Sequence, residues 1–248
     1  EIRKFKTEEH YSIAAQLKSH TKSQNFFANL HKIGDKTLDK LAIKTKKDAD
    51  EIVADLEKSN YQVTDIIQKE TKRNPLPPFT TSTLQQAAAN KLRFSAKKTM
   101  FIAQQLYENG FITYMRTDST NLSADATFAA KKWLKDNLGD SYASEAPRQF
   151  KTKAKSAQEA HEAIRPTDIF NNPEKTKLEN AEQQKLYKLI WQRFTASQMP
   201  AAKISTMTAE ILANSKQQNT NYNLRASGQR IIFDGFLKIW PQKFEESE

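Results

Sequence analysis

Hydrophobic and polar positions alternate with a period of about two near both ends of the chain, a pattern typical of β-strands. Towards the start, the alternation predicts strands in NFFANLHKI (25–33) and YQVTDIIQKE (61–70), with an amphipathic helix between them. Beyond Pro200 it predicts four short strands, with turns expected at Ser227-Gly228 and Asp234-Gly235. These four segments are AKISTMTAEIL, TNYNLRAS, GQRIIF and GFLKIW.

Residues 80–200 instead repeat apolar positions every three to four residues, which predicts α-helices. Serine and threonine residues precede these runs as N-cap candidates, and Gly110 follows one run as a C-terminal stop. One helix is expected to begin with Ser156 and Glu159 in capping-box spacing and to end before Pro166. The predicted helices lie in TSTLQQAAANKLRF, SAKKTMFIAQQLYENG, SADATFAAKKWLKDNLG, SAQEAHEAIRP and LENAEQQKLYKLIWQRFTASQM.

Three prolines stand within four positions of KRNPLPPF (72–79) and mark a boundary, because proline neither continues a helix nor donates to a β-ladder. Strands at both ends with helices between them predict a multidomain α and β fold. We expect residues 1–73 and 202–248 to form one discontinuous β-rich domain. Residues 74–201 are expected to form an inserted, mainly α-helical domain.

The composition is that of a folded protein, with 38% hydrophobic residues and three tryptophans. No run approaches the roughly 20 apolar residues of a membrane span, and no signal peptide is recognisable, so we expect a soluble, cytoplasmic protein with no membrane partner. The absence of cysteine excludes disulfides, thiolate zinc sites and cysteine nucleophiles within these residues. Because the sequence begins with Glu1 rather than methionine, we expect it to be part of a longer polypeptide.

The charge balance favours a polyanionic partner, because 39 lysines and arginines face 29 acidic residues and leave a net charge of +10. Residues 71–116 hold seven basic residues and one acidic residue, Glu108, a local charge of +6. The basic residues are Lys72, Arg73, Lys91, Arg93, Lys97, Lys98 and Arg116. Such a run can be a solvated helix face. Its position just before an unusual tyrosine favours phosphate contact.

That tyrosine lies in GFITYMRTDSTNLS (110–123), where Tyr114 and Arg116 stand two residues apart in an apolar, β-prone segment. In an extended segment both side chains point to one face, with Met115 opposite. A phenol has a pKa of about 10 and attacks poorly unless a neighbouring cation stabilises the phenolate. Arginine does this, and its planar fork also holds phosphate oxygens. A tyrosine phosphodiester conserves the energy of a cut DNA bond. The alternative is a core tyrosine beside an exposed arginine.

Three longer motifs carry a resemblance to a known family. ITYMRTDSTNLS (112–123) resembles the active-site motif of type IA DNA topoisomerases, and AQEAHEAIRPTD (157–168) resembles a second motif. PFTTSTLQQAA (78–88) is similar to the family's segment upstream of the tyrosine. Met115 and Glu162 resemble bacterial topoisomerase I, since topoisomerase III has proline and a second histidine at these places. The resemblance covers nearly the whole chain.

The resemblance implies roles for four residues. Tyr114 attacks one DNA strand and becomes a 5′-phosphotyrosine, while Arg116 positions the scissile phosphate. His161 contacts DNA or assists proton transfer near the tyrosine; the alternative is a surface histidine on a helix. Arg165, four residues later on the same face of the predicted helix, contacts phosphate or places charge at the helix C-terminus. The implied DNA-binding residues are therefore Arg116, His161 and Arg165.

The resemblance also implies what these residues lack. In the family, Mg²⁺ is held by the Asp-x-Asp carboxylates of a Toprim domain placed before this region, and zinc modules also occur. The nearest match here, DADE (48–51), lies inside a predicted helix and is interpreted as a solvated face, so no metal ligand is expected in this chain. The β-rich domain corresponds to an arch, with hinges expected at 72–78 and 199–203.

The function implied is relaxation of negatively supercoiled DNA by single-strand cleavage, strand passage and ATP-independent religation. We expect a monomer that acts on single-stranded DNA at the bacterial nucleoid, together with the missing domains of the same polypeptide; this fragment alone is expected to be inactive. The alternatives are a non-enzymatic, basic helix-turn-helix DNA-binding module and a helical interaction domain with incidental charge. The last explains the charge but not the motifs.

Overall fold

The computed structural model describes residues 8–18, 25–150, 161–215 and 220–242. These residues form two compact units. Unit 1 comprises the described residues within Glu1–Thr71 and Ile204–Arg230, and unit 2 those within Lys72–Lys203 and Ile231–Lys243. Among the described residues, no helix is long and apolar enough to cross a lipid bilayer.

An antiparallel sheet brings together strands from the two ends of the described chain. The strand order is β1-β2-β6-β5-β4, with β3 paired to β2. Because β2 pairs directly with β6, segments almost two hundred residues apart in sequence are neighbours in the sheet. The strands are β1 (Ala14–Lys18), β2 (Asn25–Ile33), β3 (Lys36–Thr37), β4 (Asn60–Arg73), β5 (Ala202–Asn214) and β6 (Asn221–Phe233).

Helix α1 (Lys46–Leu56) packs on this sheet in unit 1. As an N-cap, Thr45 accepts a hydrogen bond from the Asp48 N–H. At the other end, the buried Asp55 carboxylate accepts hydrogen bonds from the hydroxyls of Tyr222 (2.8 Å) and Ser215, which ties the helix to the sheet. The unit's core contains Ile13, Ala28, Ile43, Ala49, Leu56, Ile211, Ala213, Tyr222 and Leu224.

Four helices dominate unit 2, and the N-caps at Thr80, Ser95, Ser123 and Asn180 account for where they begin. They are α2 (Thr81–Leu92), α3 (Ala96–Glu108), α4 (Ala124–Leu138) and α5 (Ala181–Ser197). The α5 stripe of Leu186, Ile190 and Phe194 is fully buried. Two of the unit's tryptophans, Trp133 on α4 and Trp191 on α5, meet edge to face with ring centroids 4.9 Å apart.

The proline-rich segment is fastened to α5 by Arg193. The guanidinium of this buried residue lies 4.8 Å from the Phe79 ring centre and 5.2 Å from that of Trp240, and its Nε donates to the Pro77 carbonyl at 2.7 Å. Burial lowers the pKa of Arg193 to about 10. Cation–π contacts therefore hold the chain where it enters the helical unit.

The prediction of a mixed α and β fold is confirmed, whereas the arch and the inserted domain with boundaries 1–73, 202–248 and 74–201 stay a prediction. The main difference from those boundaries lies in the described residues 231–242, which group with unit 2. The hinges at 72–78 and 199–203 also stay a prediction.

Two predicted features after Pro200 are wrong. The turn at Ser227-Gly228 does not form, because β6 runs straight through it and Gly228 lacks the positive φ that a tight hairpin turn needs. GFLKIW begins a short 3₁₀ helix, Gly235–Lys238, rather than a strand. The expected break at Asp234-Gly235 does occur. Gly235 has φ +49°, and a Cβ there would lie 2.6 Å from the Pro200 carbonyl oxygen.

Two predictions near the motifs are also wrong. The β-prone segment around Tyr114 does not form a strand, since it contributes only an isolated bridge between Ile112 and Pro166. His161–Arg165 is not helical, and Ile164 bridges to Phe79. The Ile164 N–H donates to the Phe79 carbonyl at 2.8 Å, so distant backbone partners replace those that a helix would supply. The rest of that predicted helix, residues 156–160 with its capping box, lies outside the described residues.

Candidate active site

The segment that carries Tyr114 and Arg116 joins α3 to α4 in unit 2, and its side chains alternate between surface and core. Tyr114 is 44% exposed and Met115 only 1% exposed. Arg116 is exposed and Thr117 is buried. The predicted period of two is therefore present without a strand, and Tyr114 is not a core residue.

Tyr114 is supported on one side by another surface aromatic. Its ring meets that of Tyr107, in the last turn of α3, edge to face with centroids 5.2 Å apart. Tyr107 is itself 41% exposed. Such a contact restrains the ring while leaving it at the surface.

Thr81, the first residue of α2, fixes the backbone after Tyr114. Its hydroxyl shares a proton between the carbonyls of Met115 (2.7 Å) and Thr117 (3.1 Å) and accepts from the Thr117 N–H at 2.9 Å. The Thr81 N–H also donates to the Thr117 carbonyl at 2.9 Å. The start of a rigid helix thus holds the chain on both sides of Arg116.

Thr113 performs the same task before Tyr114. Its hydroxyl donates to the Ala163 carbonyl (2.7 Å) and accepts from the Arg165 N–H (3.0 Å). Its own N–H donates to the Arg165 carbonyl at 2.9 Å. Tyr114 and Arg116 therefore project from a stretch of backbone that is anchored at both ends.

Arg116 and His161 line one open groove of about 470 Å³, and both side chains are exposed. The structure thus brings two of the predicted DNA-binding residues together although 45 positions separate them. Tyr114, two residues before Arg116, does not line this groove. The lining residues are Thr81, Ser82, Gln85, Arg116, Thr117, Asp118 and His161.

Arg165 lies elsewhere. Its side chain is 12% exposed, and its guanidinium donates to the Glu162 carboxylate at 2.7 Å and to the carbonyls of Pro166 (3.0 Å) and Thr167 (3.3 Å). The expectation that it shares a helical face with His161 is wrong, because no helix forms there. Its contact with DNA stays a prediction, and the structure does not bring it into the groove.

Glu162 connects His161 to the rest of the unit. Its carboxylate pairs with Arg165 and accepts from the N–H of Ser123, the N-cap of α4, at 2.6 Å. Burial raises the pKa of Glu162, but the hydrogen bonds from Arg165 and Ser123 outweigh this effect and the pKa is lowered. The carboxylate therefore stays charged at neutral pH and holds the histidine segment in place.

The sequence did not indicate that Thr81 and Thr113 hold the backbone of the site, or that Ser82 and Gln85 line the groove. The only local signal was the hydroxyl-rich run Thr80-Thr81-Ser82, which was interpreted as capping. Thr80 does cap α2, but Thr81 acts on a segment more than thirty residues away. Nothing in its local pattern indicates that partner.

The described residues do not offer a fitting magnesium site. They contain no group of three histidine, aspartate or glutamate side chains that could hold a metal ion. Asp48, Asp50 and Glu51 are exposed on α1, which agrees with their interpretation as a solvated helix face.

A family model and the similar proteins of known name all point to one family. A family model described as DNA topoisomerase matches residues 1–248. The chain is 43% identical over 256 residues to the DNA topoisomerase 1 of Rickettsia felis, covering 99% of this chain and 32% of that protein. It is 41% identical over 247 residues to the DNA topoisomerase 1 of Zymomonas mobilis, covering 100% of this chain and 20% of that protein.

A solved structure is similar as well. Full-length topoisomerase I from Thermotoga maritima matches with a TM-score of 0.71 and 34% sequence identity, covering 90% of this chain and 35% of that chain. The chain spans about a third or less of the length of these relatives.

Proposed function

Because the chain belongs to the bacterial DNA topoisomerase I family, of type IA, we propose that it carries the nucleophile of an enzyme that relaxes negatively supercoiled DNA. Tyr114 cuts one strand, another strand passes through the break, and the cut strand is resealed without ATP. The observation that supports this proposal is the exposure of Tyr114 and Arg116 on a backbone whose intervening residue, Met115, is buried.

Cleavage in this proposal exchanges one phosphodiester for another. The phenolic oxygen of Tyr114 bonds to the phosphorus as the bond from phosphorus to the 3′ oxygen breaks. The phenol loses its proton, and the departing 3′ oxygen gains one to become a hydroxyl. Religation reverses the exchange, and because the phosphotyrosine conserves the bond energy no nucleotide is consumed.

Arg116 and His161 act on the phosphate from the groove that they share. The guanidinium holds the phosphate oxygens and stabilises the negative charge that grows during the exchange. His161 contacts the same strand or assists proton transfer near Tyr114. Both side chains are exposed, so a single strand can reach them without rearrangement of the unit's core.

We assign Mg²⁺ to an acidic Toprim domain of the full polypeptide, as the resemblance to the type IA family implies. This chain then works as a monomer with that domain, on DNA of the bacterial nucleoid, and does not relax DNA alone. A non-catalytic helix-turn-helix module would not require an exposed tyrosine anchored on both sides.

The test uses a chimera in which this chain replaces the matching segment of a full-length relative. With Mg²⁺ and labelled single-stranded DNA, denaturation should trap a protein–DNA adduct, and the chimera should relax a negatively supercoiled plasmid. Tyr114→Phe should abolish both signals while leaving DNA affinity nearly unchanged. Tyr107→Phe, which alters the neighbouring exposed phenol, is the matched control and should keep both.

An adduct that persists in the Tyr114→Phe chimera would show that another residue is the nucleophile. Loss of DNA affinity together with loss of the adduct would show that Tyr114 acts in binding instead.

A further inference from the structure

A second cavity lies beside the segment that follows the tyrosine motif, and its volume is about 310 Å³. One wall comes from residues 120–128, at the start of α4, and the other from residues 147–150. The Thr120 hydroxyl donates to the Phe150 carbonyl at 3.3 Å and joins the two walls. The cavity shares no lining residue with the groove of Arg116 and His161.

Arg148 supplies the positive charge of this cavity and is held firmly. The backbone N–H of Arg148 donates to the side-chain carbonyl oxygen of Gln198 at 3.2 Å. The side-chain amide of Gln198 donates back to the backbone carbonyl of Arg148 at 3.3 Å. Gln198 is only 4% exposed, so the arginine backbone is anchored to the end of α5.

The guanidinium itself lacks a compensating group in the part of the chain that the structure describes. Its Nε is buried without a hydrogen-bond partner, and none of the ion pairs among the described residues includes Arg148. Burial lowers the pKa of Arg148. Burying part of a cation without a partner costs folding free energy, and a bound anion would offset that cost. The N–H donors of a guanidinium match the oxygens of a phosphate.

The same cavity also offers a surface for a base. Phe128 lines it and is 64% exposed, so the face of its ring is accessible to a ligand. Nucleic-acid bases stack on exposed aromatic rings with little dependence on sequence. Asn121 and Thr127, which also line the cavity, add polar groups.

We propose that this cavity binds one nucleotide of a DNA single strand, with its phosphate on Arg148 and its base against Phe128. The inference rests on the proposed function, since it extends the path of the cleaved strand beyond the groove. It adds a contact that positions the strand without touching the reacting atoms.

The experiment measures binding of a fluorescein-labelled single-stranded oligonucleotide to the 248-residue chain by anisotropy, over a series of salt concentrations. Arg148→Gln should weaken binding several-fold and reduce the slope of log affinity against log salt by about 0.7, the value for one lost phosphate contact. Arg148→Lys should restore the slope. Phe128→Ala should weaken binding by about 5-fold or more with an unchanged slope.

Lys177→Gln is the matched control, because it removes the same charge from an exposed residue of unit 2 that lines neither cavity. Equal effects of Arg148→Gln and Lys177→Gln would overturn the inference, as would failure of the unaltered chain to bind the oligonucleotide at low salt. Circular dichroism of each variant checks that it is folded.

This result is separable from the proposed function. Arg148→Gln should still form the adduct in the chimera at saturating DNA, whereas Tyr114→Phe should not. If Arg148→Gln does not weaken oligonucleotide binding but the chimera still forms the adduct, the nucleotide site in this cavity is rejected and the proposed function is not. If the Tyr114→Phe chimera still forms the adduct, the assignment of Tyr114 as the nucleophile is rejected, and the binding result at Arg148 is unaffected.

Discussion

The hydroxyl of Thr81 shows how one atom can set the geometry of a candidate active site. It bonds to the backbone of both Met115 and Thr117, and so fixes the residue between them, Arg116. A methyl group in its place would leave buried backbone groups without partners.

Thr81→Val is therefore expected to destabilise unit 2 by about 1–3 kcal/mol and to lower the cleavage rate of the chimera beyond what the stability loss explains. Thr81→Ser, which keeps the hydroxyl, should restore cleavage. The control is Thr99→Val, since Thr99 is also buried and its hydroxyl donates to the carbonyl of Ser95, the N-cap of α3. Urea unfolding and single-turnover cleavage provide the two measurements. Equal cleavage by both valine variants would contradict the role of Thr81.

Glu162 gives a prediction for pH. Its pKa is lowered in the folded protein, so its contribution to stability is present above the ordinary glutamate pKa of about 4.3 and is lost as pH falls through the folded value. Glu162→Gln should cost about 1.5–3 kcal/mol at pH 7, as expected for hydrogen bonds to a charged group. The difference from the unaltered chain should shrink as the pH is lowered below about 4.

Urea unfolding at pH 7 and at a pH below about 4 measures the difference in unfolding free energy between Glu162→Gln and the unaltered chain. The control, Glu174→Gln, breaks an exposed pair with Lys188 at 3.6 Å and should change stability by less than about 1 kcal/mol at either pH. A Glu162→Gln cost that does not depend on pH would contradict the assignment of the stabilisation to the charged carboxylate.

At the scale of elements, the structure separates what local sequence determines from what it does not. The starts of α1, α3 and α4 follow from their caps at Thr45, Ser95 and Ser123, because a cap and its helix are adjacent in sequence. The segment His161–Arg165 has helix-forming residues, yet its backbone bonds to Phe79 and Asn121, which the local pattern cannot indicate.

The candidate site divides in the same way. The exposure of Tyr114 and Arg116 follows from a period of two that is visible in the sequence. The groove does not, because Arg116, His161 and Gln85 come from three separate segments. The resemblance to a family supplied His161, whereas spacing alone placed it on a helix that the described residues His161–Arg165 do not form.

The connection after β6 depends on a glycine that no other residue can replace without strain. Gly235 has φ +49°, and an added Cβ would lie 2.6 Å from the Pro200 carbonyl oxygen and 2.8 Å from that of Ala201. Gly235→Ala is expected to cost at least about 2 kcal/mol, because a left-handed backbone and a steric clash both oppose it.

Gly110→Ala separates the two causes. Gly110 also has a positive φ, +74°, but an added Cβ would meet nothing within 4 Å. Its replacement should cost only about 1–2 kcal/mol, the backbone contribution alone. Thermal unfolding compares the two variants, and equal losses would show that the approach to Pro200 is unimportant.

At the scale of the whole molecule, the change of hydrophobic period predicted the order of strands, helices and strands correctly. It did not predict the strand order, because the pairing of β2 with β6 joins residues that the helical segment separates in sequence. It also divided β6 in two at Ser227-Gly228, since that dipeptide is typical of turns but here lies in a continuous strand. The local preference of such residues for a turn is overridden when the segments on both sides of them pair with neighbouring strands.

The tryptophans provide an optical probe of one unit alone. All three, Trp133, Trp191 and Trp240, belong to unit 2, and the edge-to-face contact of the first two makes their emission sensitive to the packing of α4 on α5. Indole fluorescence therefore follows the melting of the helical unit, while far-ultraviolet dichroism registers the sheet as well. If the two signals fail to coincide during denaturation, the halves of this chain are separate cooperative systems, and energetic effects measured with one probe belong to one half only.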